Sequence, residues 1–342
     1  MGRSLEGCMK FRTLAGLLLF LAATAWAAPL RMFFVDVEGG QSTLIVSPSG
    51  ESMLIDTGWP DFNGRDADRI LEAAKSAGIT QIDYLIITHY HDDHVGGVPQ
   101  LTGKLKVGTF LDHGPNREDS DGTRRNYAAY RKAIGSAKHV VVKPGDHIPI
   151  SGLDVTVVSA DGNLITQPFA GAGQDNPLCA TEAAPPTDPS ENAHSVGVLI
   201  TYGKLRVLDL GDLTKKKELG LACPKNLIGK IDLFVVTHHG SAPSNPKALV
   251  HAIQPRVAIM DNGARKGGSA EAWQTVHDAP GLAGFWQVHY AISAGKDHNV
   301  PDDFIANIEE KCAGKSIAVT GDEDGTLTVT NSRNGFSKTY KK

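Results

Sequence analysis

Three imidazoles and two carboxylates fall within the six residues from His89 to His94 in the stretch "THYHDDH". Imidazole nitrogen and carboxylate oxygen are the ligands that hold Zn²⁺ and similar first-row cations. His89 and His91, two residues apart, share one side of an extended backbone, and Asp93 and His94 lie on the turn that follows. A polar loop, or a helix cap formed by Asp92 or Asp93, accounts for a lone His-Asp pair. The density here fits two adjacent divalent cations better, with zinc favoured and manganese or iron also suited to the donors. Such a pair lowers the pKa of a bridging water towards neutrality, so hydroxide becomes the nucleophile and Asp93 orients it.

Further donors stand at the ends of other apolar runs. His194 precedes "SVGVLI", Asp212 follows "LRVLDLG", and His238 and His239 follow "IDLFVVT". Tyr90, His239 and Asn262 are candidates to protonate a leaving group, packing or polar support being the plainer role of each. His289 and His298 read as surface histidines, and Trp59 as packing.

These donors need strands to position them. "LRMFFVDV", "QSTLIVSP" and "SMLIDTG" read as consecutive strands. In "DADRILEAAKSAGI", Ile70, Leu71, Ala74 and Ala77 share one helical face and Gly78 ends it. "IDYLII" then reads as a buried strand that delivers the histidines. The scheme returns loosely in "LDVTVVSA", "SVGVLITYG", "KLRVLDLGD", "IDLFVVTHHG", the helix "NPKALVHAIQ" and the strand "RVAIMDNG". "IDYLIITHYH" and "IDLFVVTHHG" share Ile-Asp, an apolar strand and Thr-His, which suggests two related halves. Residues 161–193 read as a long functional or mobile loop insertion, residues around 302–312 as a helix covering the core, and "SIAVTGDEDGTLTVTN" as a hairpin around Asp324-Gly325.

Taken together, the motifs resemble the metallo-β-lactamase superfamily, whose signature is His-x-His-x-Asp-His, a distant His, a bridging Asp and a final His. The resemblance runs from "LIDTG" at 54–58 to "HHGS" at 238–241. It implies an α/β fold, a four-layer αββα sandwich of two mixed sheets with outer helices. By position it implies that His89, His91 and His194 bind one metal, that Asp93, His94 and His238 bind the other, and that Asp212 bridges them. His238 is preferred to His239 because it follows its strand and Thr as His89 does, leaving His239 to contact substrate. Asp56 corresponds to a buried Asp that supports the ligand loop. "NAHSVGVLI", "LDLGDL" and "VVTHHGSAPSNP" look most like the hydrolase domain of bacterial competence DNA-uptake proteins. Those relatives often carry Asp in place of His91 and lack His194, and their Asn-x-Tyr-Gly-His-Pro segment is replaced by "NGARKGGSAEAWQTVHDAP". The full histidine set is the pattern of lactonases, glyoxalases and lactamases.

Composition sets the remaining bounds. The 342 residues are 41% hydrophobic and 21% charged with a formal net charge of −4, which describes a globular protein without the basic track of a polynucleotide groove. Residues 1–27, with "LAGLLLFLAATAWA" ahead of a small-x-small site, read as a signal peptide, and 28–342 as one hydrolase domain without a stable membrane anchor, periplasmic or secreted. Cys179, Cys223 and Cys312 then allow one disulfide in an oxidising compartment, with the pairing open. The favoured reading is an exported dinuclear-metal hydrolase of a small ester or lactone such as an N-acyl-homoserine lactone. Phosphodiesterase or nuclease activity and β-lactam hydrolysis are the alternatives, because the motif sets the reaction class and not the substrate.

Overall fold

The computed structural model describes residues 1–2, 28–183 and 185–342; the expected signal peptide lies outside them, save its first two residues. The chain opens with β1 (Leu30–Phe34), β2 (Thr43–Val46), β3 (Ser52–Ile55), α1 (Arg65–Ser76), β4 (Gln81–Ile86), α2 (Asp92–Val95), α3 (Val98–Thr102), β5 (Lys106–Asp112), α4 (Asp121–Ile134) and β6 (Lys138–Val141). It continues through β7 (His147–Ile148), β8 (Asp154–Ala160), β9 (Asn163–Leu164), β10 (Gly197–Tyr202), β11 (Leu205–Asp209), α5 (Lys215–Ala222) and β12 (Leu233–Val235). Then follow α6 (Lys247–Ile253), β13 (Val257–Met260), α7 (Ala270–His277), β14 (Gly284–His289) and β15 (Ile305–Asn307), and last β16 (Ile317–Gly321), β17 (Leu327–Asn331) and β18 (Ser337–Tyr340).

Two mixed sheets result. One has the order β18-β17-β16-β1-β2-β3-β4-β5-β6; the other runs β15-β14-β13-β12-β11-β10-β8-β7, with β9 beside β8. Three apolar clusters define the layers. Met32, Ile45, Val157, Val207 and Trp286 pack between the sheets. Ile70, Ala74, Val98 and Tyr130 seal α1, α3 and α4 onto the first sheet, and Leu221, Leu249, Val250 and Trp273 seal α5, α6 and α7 onto the second. This is the four-layer αββα arrangement expected. The face of α1 is also the one expected, with Ile70, Ala74 and Ala77 buried and Gly78 in the left-handed region at φ 73° beyond its end.

Both sheets pass from antiparallel to parallel pairing at equivalent places. β2–β3 is antiparallel and β3–β4 parallel; β10–β11 is antiparallel and β11–β12 parallel. The two Thr-His segments therefore leave equivalent strands, β4 and β12, which is the similarity between the halves seen in their residues.

Two expectations change. Residues 302–312 form no helix beyond one 3₁₀ turn at Asp302–Phe304, because Ile305–Asn307 pair with β14 instead. The 161–193 insertion is pinned rather than loose. The backbone N–H groups of Phe169, Gly173 and Asn176 donate to Leu227, Asn226 and Pro224 carbonyls, and Cys179 is bonded to Cys223, leaving Cys312 free.

Candidate metal centre

The loop after β4 is held from below by Asp56, which sits at φ 60° directly after β3. One carboxylate oxygen of Asp56 accepts from Thr88 N at 2.8 Å; the other accepts from Thr88 Oγ1 and lies 2.7 Å from His94 Nδ1. Imidazole can serve a buried carboxylate there only as an Nδ1–H donor, so His94 turns Nε2 outward. Glycine is required at two close approaches in this region. A Cβ on Gly40 would stand 2.2 Å from Asp93 O, and one on Gly97 2.1 Å from Thr57 O.

His94 Nε2 meets its neighbour Asp93 Oδ2 at 3.1 Å and two donors from distant elements, Asp212 Oδ2 at 3.2 Å and His239 Nε2 at 3.1 Å. His239 Nε2 lies 3.2 Å from Asp93 Oδ2 and 3.3 Å from Asp212 Oδ1, and its Nδ1 lies 3.3 Å from Asp261 Oδ1, a counterpart of the His94–Asp56 pair. All four side chains are buried, with one ligand atom from each inside a 4.8 Å span. Beside them His89 Nε2 and His91 Nδ1 converge to 3.0 Å, with His89 Nε2 3.9 Å from Asp212 Oδ2. Asp212 thus lies between the two groups.

Burial would raise both central carboxyls, but facing cations prevail. His94 and Lys266 hold Asp93 well below the usual range, and His238, His239 and His94 do the same for Asp212. Asp212 Oδ1 is buried without a hydrogen-bond partner. Two buried carboxylates, an orphaned oxygen and converging imidazole nitrogens are a donor set that fits divalent cations.

Two expected donors, His238 and His194, are not among the four side chains of that buried cluster. The structure brings His239, not His238, into the buried cluster. His238 and His239 both take left-handed backbone, at φ 57° and 54°. The turn carries His239 inward and leaves His238 on the rim, 14% exposed, with Nε2 3.4 Å from Asp212 Oδ2 and Nδ1 3.2 Å from Ser244 Oγ. His194 also stands aside. Its Nδ1 is 3.4 Å from Asp161 Oδ1, an aspartate that also forms a two-point pair with Arg117. Of the candidate proton donors, Tyr90 is fully buried and donates to Gly114 O. Asn262 donates to the Gly263 and His289 carbonyls. His289 is buried, not on the surface. Lys266 lies 4.9 Å from the Trp59 ring, so Trp59 borders the site as well as packing.

Several site residues were missed. Glu118 Oε2 lies 2.9 Å from His91 Nε2 and orients that ring. Glu191, fully buried, accepts from Tyr90 N at 3.1 Å and Arg117 N at 2.6 Å and lies 2.9 Å from His113 Nε2. Lys266 Nζ bonds Asp93 Oδ2. A local signal existed only for Asp261, an acid closing the strand "VAIM" as Asp56 closes β3.

Residues 35–168 match the metallo-beta-lactamase superfamily. Recombination protein 2 of Haemophilus influenzae is 30% identical over 230 residues, 67% of this chain and 24% of that protein. ComE operon protein 3 of Bacillus subtilis is 24% identical over 242 residues, 67% of this chain and 28% of that protein. The chain spans about a quarter of the length of these two relatives. Among solved structures, MEM-A1, a subclass B3 metallo-beta-lactamase from a soil metagenome library, aligns with 68% of this chain and 79% of its own, at 17% identity and a TM-score of 0.37.

Proposed function

We propose that this chain, which belongs to the metallo-beta-lactamase superfamily, hydrolyses phosphodiesters with two divalent cations, zinc favoured, held on either side of Asp212. One cation falls to Asp93, His94 and His239, the other to His89 and His91. Cations there supply a Lewis acid for a phosphoryl oxygen and a water of lowered pKa as nucleophile. The chain's own residues do the positioning. Asp56, Asp261 and Glu118 fix the rings of His94, His239 and His91. His238 handles the proton passed to the leaving oxygen at Nε2. The Ser244 hydroxyl is committed as donor to Leu213 O at 2.8 Å, so it accepts from His238 Nδ1–H, and Nε2, 3.4 Å from Asp212 Oδ2 and 3.5 Å from Asn192 Nδ2, takes up a proton before passing it to the leaving oxygen.

The observation that carries the choice of substrate is Lys266. Its ammonium bonds Asp93 and lies 4.9 Å from the Trp59 ring centre. With Asp93 engaged by a cation, that ammonium would be released to pair with the anionic oxygen of a diester; a neutral lactone offers no such charge. The likeness to the hydrolase domain of competence proteins points the same way. Lactone hydrolysis is retained as a second reading on the 3.0 Å convergence of His89 and His91; it would draw on His194, whose Nδ1 lies 3.4 Å from Asp161 Oδ1. The test is turnover of bis-p-nitrophenyl phosphate and of an N-acyl-homoserine lactone by metal-loaded protein. Diester turnover with a KM raised in Lys266→Ala supports the proposal; lactone turnover alone overturns it.

Export is proposed too, supported by the Cys179–Cys223 bond, since disulfides persist in oxidising compartments. Among the described residues no helix is long and apolar enough to cross a membrane.

A further inference from the structure

A second, separate set of metal-ligand side chains meets where β1, β14 and the segment before β16 come together. Asp36 and His289 are buried and Cys312 is half-buried. His289 Nε2 lies 2.8 Å from Asp36 Oδ1, Cys312 Sγ 3.1 Å from Asp36 Oδ2, and Sγ 3.8 Å from His289 Nε2. A tetrahedral Zn²⁺ with ordinary Zn–N, Zn–O and Zn–S bonds spaces its ligand atoms roughly 3.3–3.6 Å apart; here the imidazole and the sulfur approach different oxygens of one carboxylate, and one ligand atom from each side chain lies within 4.8 Å of the others.

The arrangement is not that of a nucleophilic cysteine with its base. A relay uses the two imidazole nitrogens for different partners, whereas here Nε2 faces both the carboxylate and the sulfur while Nδ1 is buried without a partner. A single nitrogen facing an oxygen and a sulfur, with that sulfur against the other oxygen of the same carboxylate, gathers ligand atoms as a chelate does. We propose that Asp36, His289 and Cys312 form a distinct site for one thiophilic divalent cation of the Zn²⁺ class, outside the Asp93–Asp212 centre.

Charge supports the assignment. A carboxylate, a thiolate formed by release of the Cys312 proton, and a neutral imidazole balance a dication. Arg69 stands close, 3.1 Å from Asp36 Oδ2 and 3.8 Å from Sγ, but has other anchors in Asp36 O at 2.9 Å and Glu38 Oε1 at 3.1 Å. Glu38 pairs with Arg69 through one oxygen and with Arg65 through the other, Arg65 being paired with Asp66 as well, so Arg69 keeps an anchor when the other three groups engage the cation. The site also adjoins the metal centre's rim, since Asn262 at the base of the Lys266 loop donates to His289 O at 2.8 Å.

Co²⁺ titration of metal-stripped full-length protein tests the proposal, because cobalt bound to a thiolate gives a near-ultraviolet charge-transfer band that His and Asp ligands do not. Cys179 and Cys223 are bonded to each other, and the titration is run on protein carrying Cys8→Ala, so any such band reports Cys312. The expected result is a band in the wild type, its loss in Cys312→Ala together with one equivalent of bound metal, and its persistence in His239→Ala. The pairing of effects separates this site from the main one. No band in the wild type, or a Cys312→Ala variant that keeps full metal stoichiometry, overturns the proposal. His289→Gln, which retains side-chain volume, is expected to weaken cobalt binding at this site by tenfold or more; unchanged binding there overturns the role of His289.

Discussion

Replacing His239 and His238 by alanine one at a time distinguishes metal ligand from rim residue. His239 contributes one of four converging donors and is within 3.1–3.3 Å of His94, Asp93 and Asp212. Losing a group that merely orients a metal ligand lowers affinity about 10–100-fold, so losing the ligand itself costs at least that and strips one cation on dialysis. The metal-free protein suffers as well. Two buried carboxylates lose a facing imidazole, and breaking a buried charge pair by deleting one partner costs about 3–5 kcal/mol. His238 touches the same Asp212 at 3.4 Å but sits on the rim. Its removal leaves the metal bound and removes proton transfer, worth roughly 10²–10⁴ in rate. That loss is largest for an alkoxide leaving group and smallest for p-nitrophenolate, which departs without a proton. Elemental analysis after dialysis, urea unfolding, and kcat on an alkyl and a p-nitrophenyl diester read all three effects. If His238→Ala sheds metal as fully as His239→Ala, or if both retain it, the assignment of these two residues is wrong.

Glu191→Gln can keep its oxygen towards Tyr90 N and His113 and directs its amide donor at Arg117 N, and a hydrogen bond to a charged acceptor is worth about 1.5–3 kcal/mol. Urea unfolding is expected to show a loss of about 1.5–3 kcal/mol; a loss below about 1 kcal/mol refutes the network. Glu218 is fully buried, and burial, only partly opposed by hydrogen bonds from Thr237 and Asn245 N, pushes its carboxyl up to about 8 from 4.5. Between those pH values the folded protein keeps a proton that the unfolded chain has released, so this group's contribution to stability falls as pH rises and levels off above about 8. Glu218→Gln removes that slope, and its stability relative to wild type should grow by up to a few kcal/mol from pH 5 to 8; a difference independent of pH would show the carboxyl to be ionised throughout. Reducing Cys179–Cys223, which closes a 44-residue separation, is expected to cost about 2–4 kcal/mol in thermal or urea unfolding. An unchanged midpoint would mean that the hydrogen bonds of the 161–193 segment suffice without it.

Much of the arrangement was legible in the residues themselves. The donor-rich turn after "IDYLII" and the strand-end position of Asp212 follow from local chemistry and apolar periodicity, which a chain carries wherever it folds. The same holds for the amphipathic face of α1 and the hairpin around Asp324-Gly325. Tertiary structure decided what depends on the direction of a side chain or on a partner far away. Two left-handed residues exchange His238 and His239, because a strand pattern predicts where a chain arrives and not the backbone angle at which it leaves. Asp161 holds His194 aside from the cluster. Glu118 reaches His91 across 27 residues and Lys266 reaches Asp93 across 173. The gathering of Asp36, His289 and Cys312, separated by up to 276 positions, exists only because β1, β14 and the segment before β16 pack together. Partners of this kind leave no local trace, since the energy that pairs them comes from burial shared between elements and not from the residues on either side.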